Sequence, residues 1–236
     1  MATVSVIIPA LNEERHIGRL LSDIRRQSRR PEEVFVVDAG SSDNTVAIVE
    51  DCPGAILLRG EPPVARGRTL GGMRATGDVL VFLDADVRLA PAFLERFVGE
   101  IEQRGLDVAC PLYTPRDSTP AIRVIHAFWN AVLKGFERVL PSGAGHCIAV
   151  RGSVFRESSG FDPRLKFDDI ELIRRLSRGR VFGIVGEKVF VSDRRYREDG
   201  TLRTFLAHLL MSSAFALGKF EWTNSIEYDF GNHTGE

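Results

Sequence analysis

Apolar runs alternate with amphipathic segments along the first half of the chain, and this alternation predicts the fold. The runs with the length and β-branched content of buried strands are 3–8, 34–37, 55–58, 79–83 and 107–110. Between them, apolar residues recur at helical spacing, most clearly over 17–24 and 93–101. Strands that alternate with helices predict an α/β fold in which a mostly parallel sheet carries helices on both faces.

Polar residues and prolines predict where the first elements end. Pro9 is expected to stop the first strand. Asn12 is expected to cap the following helix, with Glu13 and Glu14 in its first turn beside the positive end of the helix dipole. The second strand is expected to end at Asp38, where a polar turn begins.

The pattern changes near residue 111, where Pro111, Pro115 and Pro120 indicate a loop. An acidic segment that begins at Asp168 is expected to open a short helix. The other predicted elements are helices at 122–140 and about 201–220 and strands at 147–150, 181–185 and 188–191.

Length and composition are those of a globular protein. A chain of 236 residues can bury a sizeable core. We expect a single domain over 1–236, with one half at about 1–110, a second at about 111–200, and a helix and tail over about 201–236. The net charge of −1 gives no argument for nucleic acid as a partner.

The cysteines and the apolar segments bear on location. Cys52, Cys110 and Cys147 are far apart and form no C-x-x-C pattern, which favours reduced thiols in the cytosol. No secretory signal is visible, and no apolar stretch is long enough to span a bilayer. We therefore expect a cytoplasmic protein, with a peripheral position at the inner face of the membrane as a variant of that expectation.

The clearest candidate chemistry follows the apolar run at 79–83. Asp84 and Asp86 come directly after this predicted strand, where open α/β sheets bind their ligands. Side chains two residues apart point to the same side of an extended chain, so the two carboxylates would repel each other without a cation. A hard divalent ion such as Mg²⁺ or Mn²⁺ would satisfy them, whereas a solvated strand end is the simpler alternative.

Several motifs in this order resemble those of family 2 glycosyltransferases. They are VSVIIPALNEE at 4–14, VVDAGSSDNT at 36–45, RTLG at 68–71, ATGD at 75–78, FLDAD at 82–86, GFD at 160–162 and DDIEL at 168–172. Two positions depart from the family pattern, since Thr69 stands where Asn is usual and Asp168 stands where Glu is usual.

The resemblance implies a GT-A fold, a mixed and mostly parallel sheet in which a Rossmann-like nucleotide-binding half is fused to an acceptor-binding half. It implies inverting transfer of a sugar from a UDP- or GDP-sugar to a hydroxyl acceptor, which could be a glycan, a lipid-linked compound or a small molecule. The implied cofactor is Mn²⁺ or Mg²⁺, held at the Asp-x-Asp motif.

The resemblance also assigns residues to the donor. Asp38 would accept a hydrogen bond from the base, and Arg68 would face the phosphates, with Arg66 as a close alternative. The residues expected to contact the nucleotide-sugar are Pro9, Ala10, Glu13, Asp38, Arg66, Arg68, Asp84, Ala85 and Asp86. Each arginine could equally be an ordinary solvated helix residue.

The resemblance assigns metal and catalytic roles as well. Asp86 is the expected direct metal ligand, with Asp84 nearer the ribose or reaching the metal through water. Asp193 could be a further ligand, although a solvated charge run explains it too. Asp169 is the candidate general base and Asp168 the alternative; acidic residues are also common at a helix start.

Other features leave alternatives open. His146 lies in a glycine-rich turn along which an acceptor could pass, although a single histidine is more often structural. The helix at about 201–220 could contact a membrane or a second subunit, although packing against its own domain is favoured. A nucleotidyltransferase and a non-catalytic nucleotide-binding scaffold are the competing functions, but the chain has no glycine-rich phosphate loop, and its carboxylates are intact.

Overall fold

The computed structural model describes residues 1–116, 118–192 and 215. The strands are β1 (Val4–Ala10), β2 (Glu33–Asp38), β3 (Ala55–Arg59), β4 (Val79–Leu83), β5 (Val108–Pro115), β6 (Cys147–Arg151) and β7 (Phe182–Val191). The helices are α1 (Ile17–Arg25), α2 (Thr45–Glu50), α3 (Val64–Arg74), α4 (Phe93–Arg104), α5 (Pro120–Phe136), α6 (Gly152–Arg156) and α7 (Asp168–Leu176).

All seven strands form one sheet in the order β3-β2-β1-β4-β6-β5-β7. β6 runs antiparallel to its neighbours β4 and β5, and every other pairing in the sheet is parallel. The sheet has a hydrophobic cluster on each face, because alternate residues of its central strands enter different clusters: Val6 and Ile8 lie in one and Ile7 in the other. The predicted α/β class with a mixed, mostly parallel sheet is confirmed.

The amphipathic helices bury the faces that the sequence predicts. In α1 the apolar residues at 17, 20, 21 and 24 are buried, and in α4 the buried stripe runs from Phe93 to Ile101. α4 ends at Gly105, which adopts a left-handed conformation with φ of 61°. Both helices cover the same face of the sheet, because their buried residues belong to one hydrophobic cluster.

The first loop differs from its prediction. β1 continues through Pro9 to Ala10, and Asn12 has a φ of +56° and caps no helix, because α1 begins only at Ile17. The Asn12 side chain instead accepts a hydrogen bond from the Ser42 N–H at 2.8 Å. This contact with the loop after β2 is made between residues far apart in sequence, so the local capping pattern was misleading.

The region after residue 110 also differs. β5 extends to Pro115 where a loop was expected, and it pairs with β6 only through Val108 and Ala109. The rest of β5 pairs with β7 alone, and a strand with one such edge tolerates proline. The expected strands at 181–185 and 188–191 are one strand, β7, interrupted by a register shift opposite Pro111 and Leu112.

α5 covers 120–136 instead of 122–140, and α6 was not predicted. Asp193 and most of the helix expected at about 201–220 lie outside the described residues; Phe215, which is described, is helical and packs its ring against Phe167. Among the described helices, none has the length and apolar content needed to cross a membrane. The division into halves near residue 110 stays a prediction.

Candidate active site

The candidate site lies where the ends of four strands meet. β1, β2 and β4 are mutually parallel, so their last residues and the loops after Ala10, Asp38 and Leu83 lie at one edge of the sheet. β6 is antiparallel to β4, with Cys147 opposite Leu83, so the start of β6 lies at this same edge. The Asp84 N–H donates to the His146 carbonyl at 3.1 Å. The topology therefore places residue 146 beside the Asp-x-Asp motif.

Asp84, Asp86 and His146 form a cluster that could hold a metal ion. One ligand atom from each lies within 4.8 Å of the others. The two carboxylates converge through a turn after β4, not through an extended strand as the sequence argument assumed. The His146 Nδ1 is 3.2 Å from Asp84 Oδ2. Carboxylate oxygens suit Mg²⁺ and Mn²⁺, and an imidazole nitrogen is a ligand that suits transition metals.

Arg68 joins this cluster to the start of α7. Its guanidinium donates to Asp84 Oδ1 at 2.6 Å and to the two oxygens of Asp168 at 3.2 and 3.3 Å. It also lies over the Phe161 ring, 5.4 Å from the centroid. Arg68 and Asp168 are both buried. The guanidinium therefore bridges two carboxylates that stand 84 residues apart in sequence (168 − 84), a role that the sequence did not predict.

The charges around Arg68 shift the pKa values of Asp84 and His146 in opposite directions. Burial raises the pKa of Asp84, but the charge of Arg68 and the bond to His146 outweigh burial and lower it to about 2. Burial lowers the pKa of His146, but its bond to Asp84 and the nearby carboxylates raise it overall. Asp84 is therefore ionised across the physiological range.

Asp168 and Asp169 differ in their surroundings at the start of α7. Burial raises the pKa of Asp168 despite the neighbouring Arg68. Burial and the adjacent Asp168 raise the pKa of Asp169 to about 6. Asp168 is held by Arg68, whereas the Asp169 carboxylate faces the turn at 141–146. The two acids therefore differ, since Asp168 is tied to Arg68 while the pKa of Asp169 lies close to neutral pH.

Gly145 makes room for Asp169. A Cβ atom at Gly145 would lie 1.8 Å from Asp169 Oδ2, so any side chain there would displace the carboxylate. The same turn supplies His146. The sequence signal for both residues was the glycine-rich turn before a strand, but its proximity to the Asp-x-Asp motif depends on the antiparallel pairing of β6 with β4.

The expected nucleotide crevice lies at the ends of β1 and β2. Pro9 and Ala10 are buried at the end of β1. Asp38 is buried at the end of β2, where it accepts hydrogen bonds from the Ser41 N–H at 3.2 Å and from Arg59 at 3.0 Å. The structure thus places Asp38 beside Ala10, with its carboxylate held by its own loop and by Arg59.

The two loops beside this crevice are bonded to each other. The Glu13 N–H donates to Thr45 Oγ1 at 2.7 Å, and the Asn12 N–H donates to Ser41 Oγ at 2.9 Å. The Glu14 carboxylate accepts from the Asn44 N–H at 3.1 Å. Glu13 is therefore positioned by the second loop, as a residue of the crevice wall would need to be.

The remaining expected donor residues occupy different places. Arg66 is exposed on α3 and pairs with the exposed Glu61 at 3.0 Å, so it lies outside the buried bridge that Arg68 forms. Ala85 is buried in the turn between the two carboxylates.

Thr69 ties α3 to the turn at Gly160. Its hydroxyl accepts a hydrogen bond from the Phe161 N–H at 2.9 Å. Gly160 has a φ of +72°, and a Cβ there would approach the Thr69 side chain to 2.5 Å. The residue that departs from the family's usual Asn thus supports the Phe161 ring on which Arg68 rests.

The architecture matches solved glycosyltransferases with the GT-A fold. The mannosyltransferase PcManGT of Pyrobaculum calidifontis, solved with GDP-Man and Mn²⁺, aligns with a TM-score of 0.70 at 22% identity, covering 81% of this chain and 57% of that one. S. aureus TarS 1-349 in complex with UDP aligns with a TM-score of 0.65 at 19% identity, covering 80% and 60%. At these identities the likeness establishes the fold.

Residues 5–159 match the family model described as glycosyl transferase family 2. The chain therefore belongs to this family, as its motifs indicated. A curated relative, the undecaprenyl-phosphate 4-deoxy-4-formamido-L-arabinose transferase of Proteus mirabilis (strain HI4320), is 33% identical over 115 residues, which are 44% of this chain and 35% of the relative. The chain is thus aligned with about a third of that relative's length.

Proposed function

We propose that this chain transfers a sugar from a UDP- or GDP-sugar to a hydroxyl acceptor, with inversion at the sugar carbon and with a divalent cation. The observation that carries the proposal is the grouping of Asp84, Asp86 and His146 beside Asp169, which lies against the neighbouring Gly145. This is a cation site and a proton acceptor in one crevice. Family membership supports the reaction class.

The carboxylates Asp86 and Asp84 would hold Mn²⁺ or Mg²⁺, with His146 as a third ligand. The bound cation supplies Lewis-acid stabilisation of the charge that develops on the departing diphosphate. The cation in the similar PcManGT structure is Mn²⁺. Asp193 was expected as a further ligand and lies outside the described residues.

Asp169 is the proposed general base. With a pKa of about 6 it is ionised at pH 7 yet basic enough to accept the proton of an attacking hydroxyl. Arg68 holds Asp168 by two hydrogen bonds, so Asp168 is poorly placed to share this task. Direct attack by the acceptor on the face opposite the diphosphate gives inversion.

The donor would lie along the ends of β1 and β2. Asp38 would accept from the base, with Pro9, Ala10 and Glu13 at the crevice wall and the exposed Arg66 within the region that phosphates approach. UDP and GDP-Man are bound by the similar TarS and PcManGT. Similarity to the Proteus relative, an undecaprenyl-phosphate transferase, supports a lipid-linked acceptor, whose accepting oxygen could then belong to a phosphate instead of a hydroxyl.

The test is release of nucleoside diphosphate from a panel of UDP- and GDP-sugars, with Mn²⁺ or EDTA. We expect turnover of at least one donor, its loss in EDTA, and a fall of roughly 10²–10⁴-fold in kcat for Asp169→Asn. Asp107→Asn, at the opposite edge of the sheet beside Arg151, is the matched control and should stay within about twofold. Turnover that survives both EDTA and Asp169→Asn would contradict the proposal, and no turnover with any donor would favour a nucleotide-binding scaffold.

A further inference from the structure

α5 presents an apolar surface to the outside of the domain. Val124 is 68% exposed, Phe128 49%, Phe136 56% and Val139, in the turn after the helix, 83%. Among the described residues, no other stretch as long as 124–139 carries more than two large exposed apolar side chains. Scattered single residues of this kind are ordinary, whereas three on one helix and a fourth in the turn after it indicate a contact surface.

The side chains beside this apolar stripe are basic. Arg123 and Lys134 are exposed and stand eleven residues apart, which places them on one side of the helix, and the exposed Arg138 follows in the turn after α5. The acidic residue of the segment, Glu137, is directed inward and accepts from the Ile184 N–H at 2.6 Å. The outward side chains of 120–139 are therefore apolar, small or positively charged. We call these four apolar and three basic residues the α5 surface.

Contacts at the start and the middle of α5 fix which face of the helix points outward. The Asn130 side chain donates to the Tyr113 carbonyl at 2.7 Å and accepts from the Tyr113 N–H at 3.2 Å, on the part of β5 that β6 does not cover. Ile122 and Trp129 are buried beneath the helix. Rotation that would bury the α5 surface against the sheet would break these hydrogen bonds and expose the buried residues.

We propose that the α5 surface binds an anionic lipid surface. An amphipathic helix with aromatic and aliphatic residues on one side and Lys and Arg on the other lies in the plane of a lipid headgroup layer. The exposed charges are all positive, which complements anionic lipids and opposes association with a second copy of the same positive surface.

The position of this surface relates it to the site. The turn at 141–146 follows α5 directly and carries Gly145 and His146, which lie against Asp169 and Asp84. A domain that rests on lipid through α5 would hold this turn close to the headgroup layer. This step rests on the proposed function: the acceptor hydroxyl or phosphate would then be presented by a lipid embedded in the same surface.

The test is flotation of the full chain with phosphatidylglycerol-containing vesicles and with phosphatidylcholine vesicles, at low and high salt. We expect binding to the anionic vesicles that weakens with salt. Since each Lys or Arg near such a surface contributes about fivefold to partitioning, replacing Arg123, Lys134 and Arg138 with Glu should lower binding by at least a hundredfold. Replacing Val124, Phe136 and Val139 with Ser should lower it by at least about tenfold.

The matched control replaces three exposed arginines at α1 with Glu, namely Arg19, Arg25 and Arg26. It should leave vesicle binding within about fivefold of the unaltered chain. An equal loss of vesicle binding in this control would mean that binding depends only on the net charge of the chain, which would overturn the proposal. Unchanged flotation of the Val124, Phe136 and Val139 variant would overturn it too. A lowered unfolding midpoint in that variant, without any lipid binding by the unaltered chain, would overturn the proposal because these side chains would then stabilise the fold. A dimer in sedimentation velocity that the variant abolishes would overturn it as well.

Donor turnover in solution separates this proposal from the proposed function. A chain that hydrolyses a nucleotide-sugar in solution but ignores anionic vesicles contradicts the lipid surface alone. A chain that floats with the vesicles through α5 but binds no nucleotide contradicts the transferase alone.

Discussion

Removal of the Arg68 guanidinium should destabilise the fold more than any other single change in the site. In Arg68→Met the aliphatic stem is retained while Asp84 and Asp168 lose their shared partner. Arg68 is 7% exposed and Asp168 6%, so water replaces the lost hydrogen bonds poorly. Loss of one partner of a buried ion pair costs about 3–5 kcal/mol. The Asp84 side chain is 29% exposed and can regain some solvation, so we expect about 3 kcal/mol.

The loss should depend on pH, because it arises from ionised carboxyl groups. Without Arg68 the pKa of Asp168 rises further above its unfolded value. A carboxyl group with a raised pKa destabilises the native state when it is ionised and ceases to do so when it is protonated. The difference in unfolding free energy between Arg68→Met and the unaltered chain should therefore be largest at pH 7 and shrink toward pH 4.

The assay is urea unfolding at both pH values, with Arg66→Met as the control. Arg66 lies on the same helix two residues earlier, and its partner Glu61 is exposed, so its loss should change stability by less than about 0.5 kcal/mol. In Arg68→Met combined with Asp168→Asn, the two losses should be less than additive. If Arg68→Met costs no more than Arg66→Met at pH 7, the bridge does not stabilise this fold and the reasoning is wrong.

Three smaller changes test the neighbouring contacts. If Asp169 is the base, kcat should fall about tenfold per pH unit below about pH 6. Asp169→Asn should stabilise the fold at pH 7 by about 3 kcal/mol but not at pH 4, because the raised pKa opposes ionisation; an equal effect of Asp169→Asn on stability at both pH values contradicts this. Gly145→Ala should displace the Asp169 carboxylate and lower kcat at least tenfold with little change in nucleotide affinity; unchanged kcat contradicts it. Thr69→Val leaves the Phe161 N–H without its acceptor and should cost about 1–2 kcal/mol in thermal unfolding, whereas Thr69→Ser should cost less.

Local patterns in the sequence were enough to predict the buried strands and the amphipathic helices. The runs at 34–37 and 79–83 are strands, and the stripe from Phe93 to Ile101 is a buried helix face, because burial and periodicity depend on neighbouring residues. The prolines at 111 and 115 were misleading because their place in β5 depends on which strand lies beside them. Pairing partners of this kind are set by contacts between distant residues.

Some residues of the site could likewise be predicted from local patterns, and others could not. Asp84 and Asp86 could be singled out because they follow an apolar run directly. His146 could not be joined to them, because its place depends on the antiparallel pairing of β6 with β4 across more than sixty residues (146 − 84 = 62). The Arg68–Asp168 bridge joins residues 100 positions apart, so no local sequence pattern predicts it. The roles given to the nucleotide-binding and catalytic residues stay predictions.

The most direct test of the account is calorimetric titration of the chain with UDP and with GDP, each with Mn²⁺ or with EDTA, for the unaltered chain and Asp86→Asn. Binding that occurs for one diphosphate, needs the cation and falls at least tenfold in Asp86→Asn is the predicted result, since the cation joins the Asp84, Asp86 and His146 cluster to the phosphates. Equal binding in EDTA and in Asp86→Asn, or no binding of either diphosphate, would contradict the proposed metal-dependent transfer at this site.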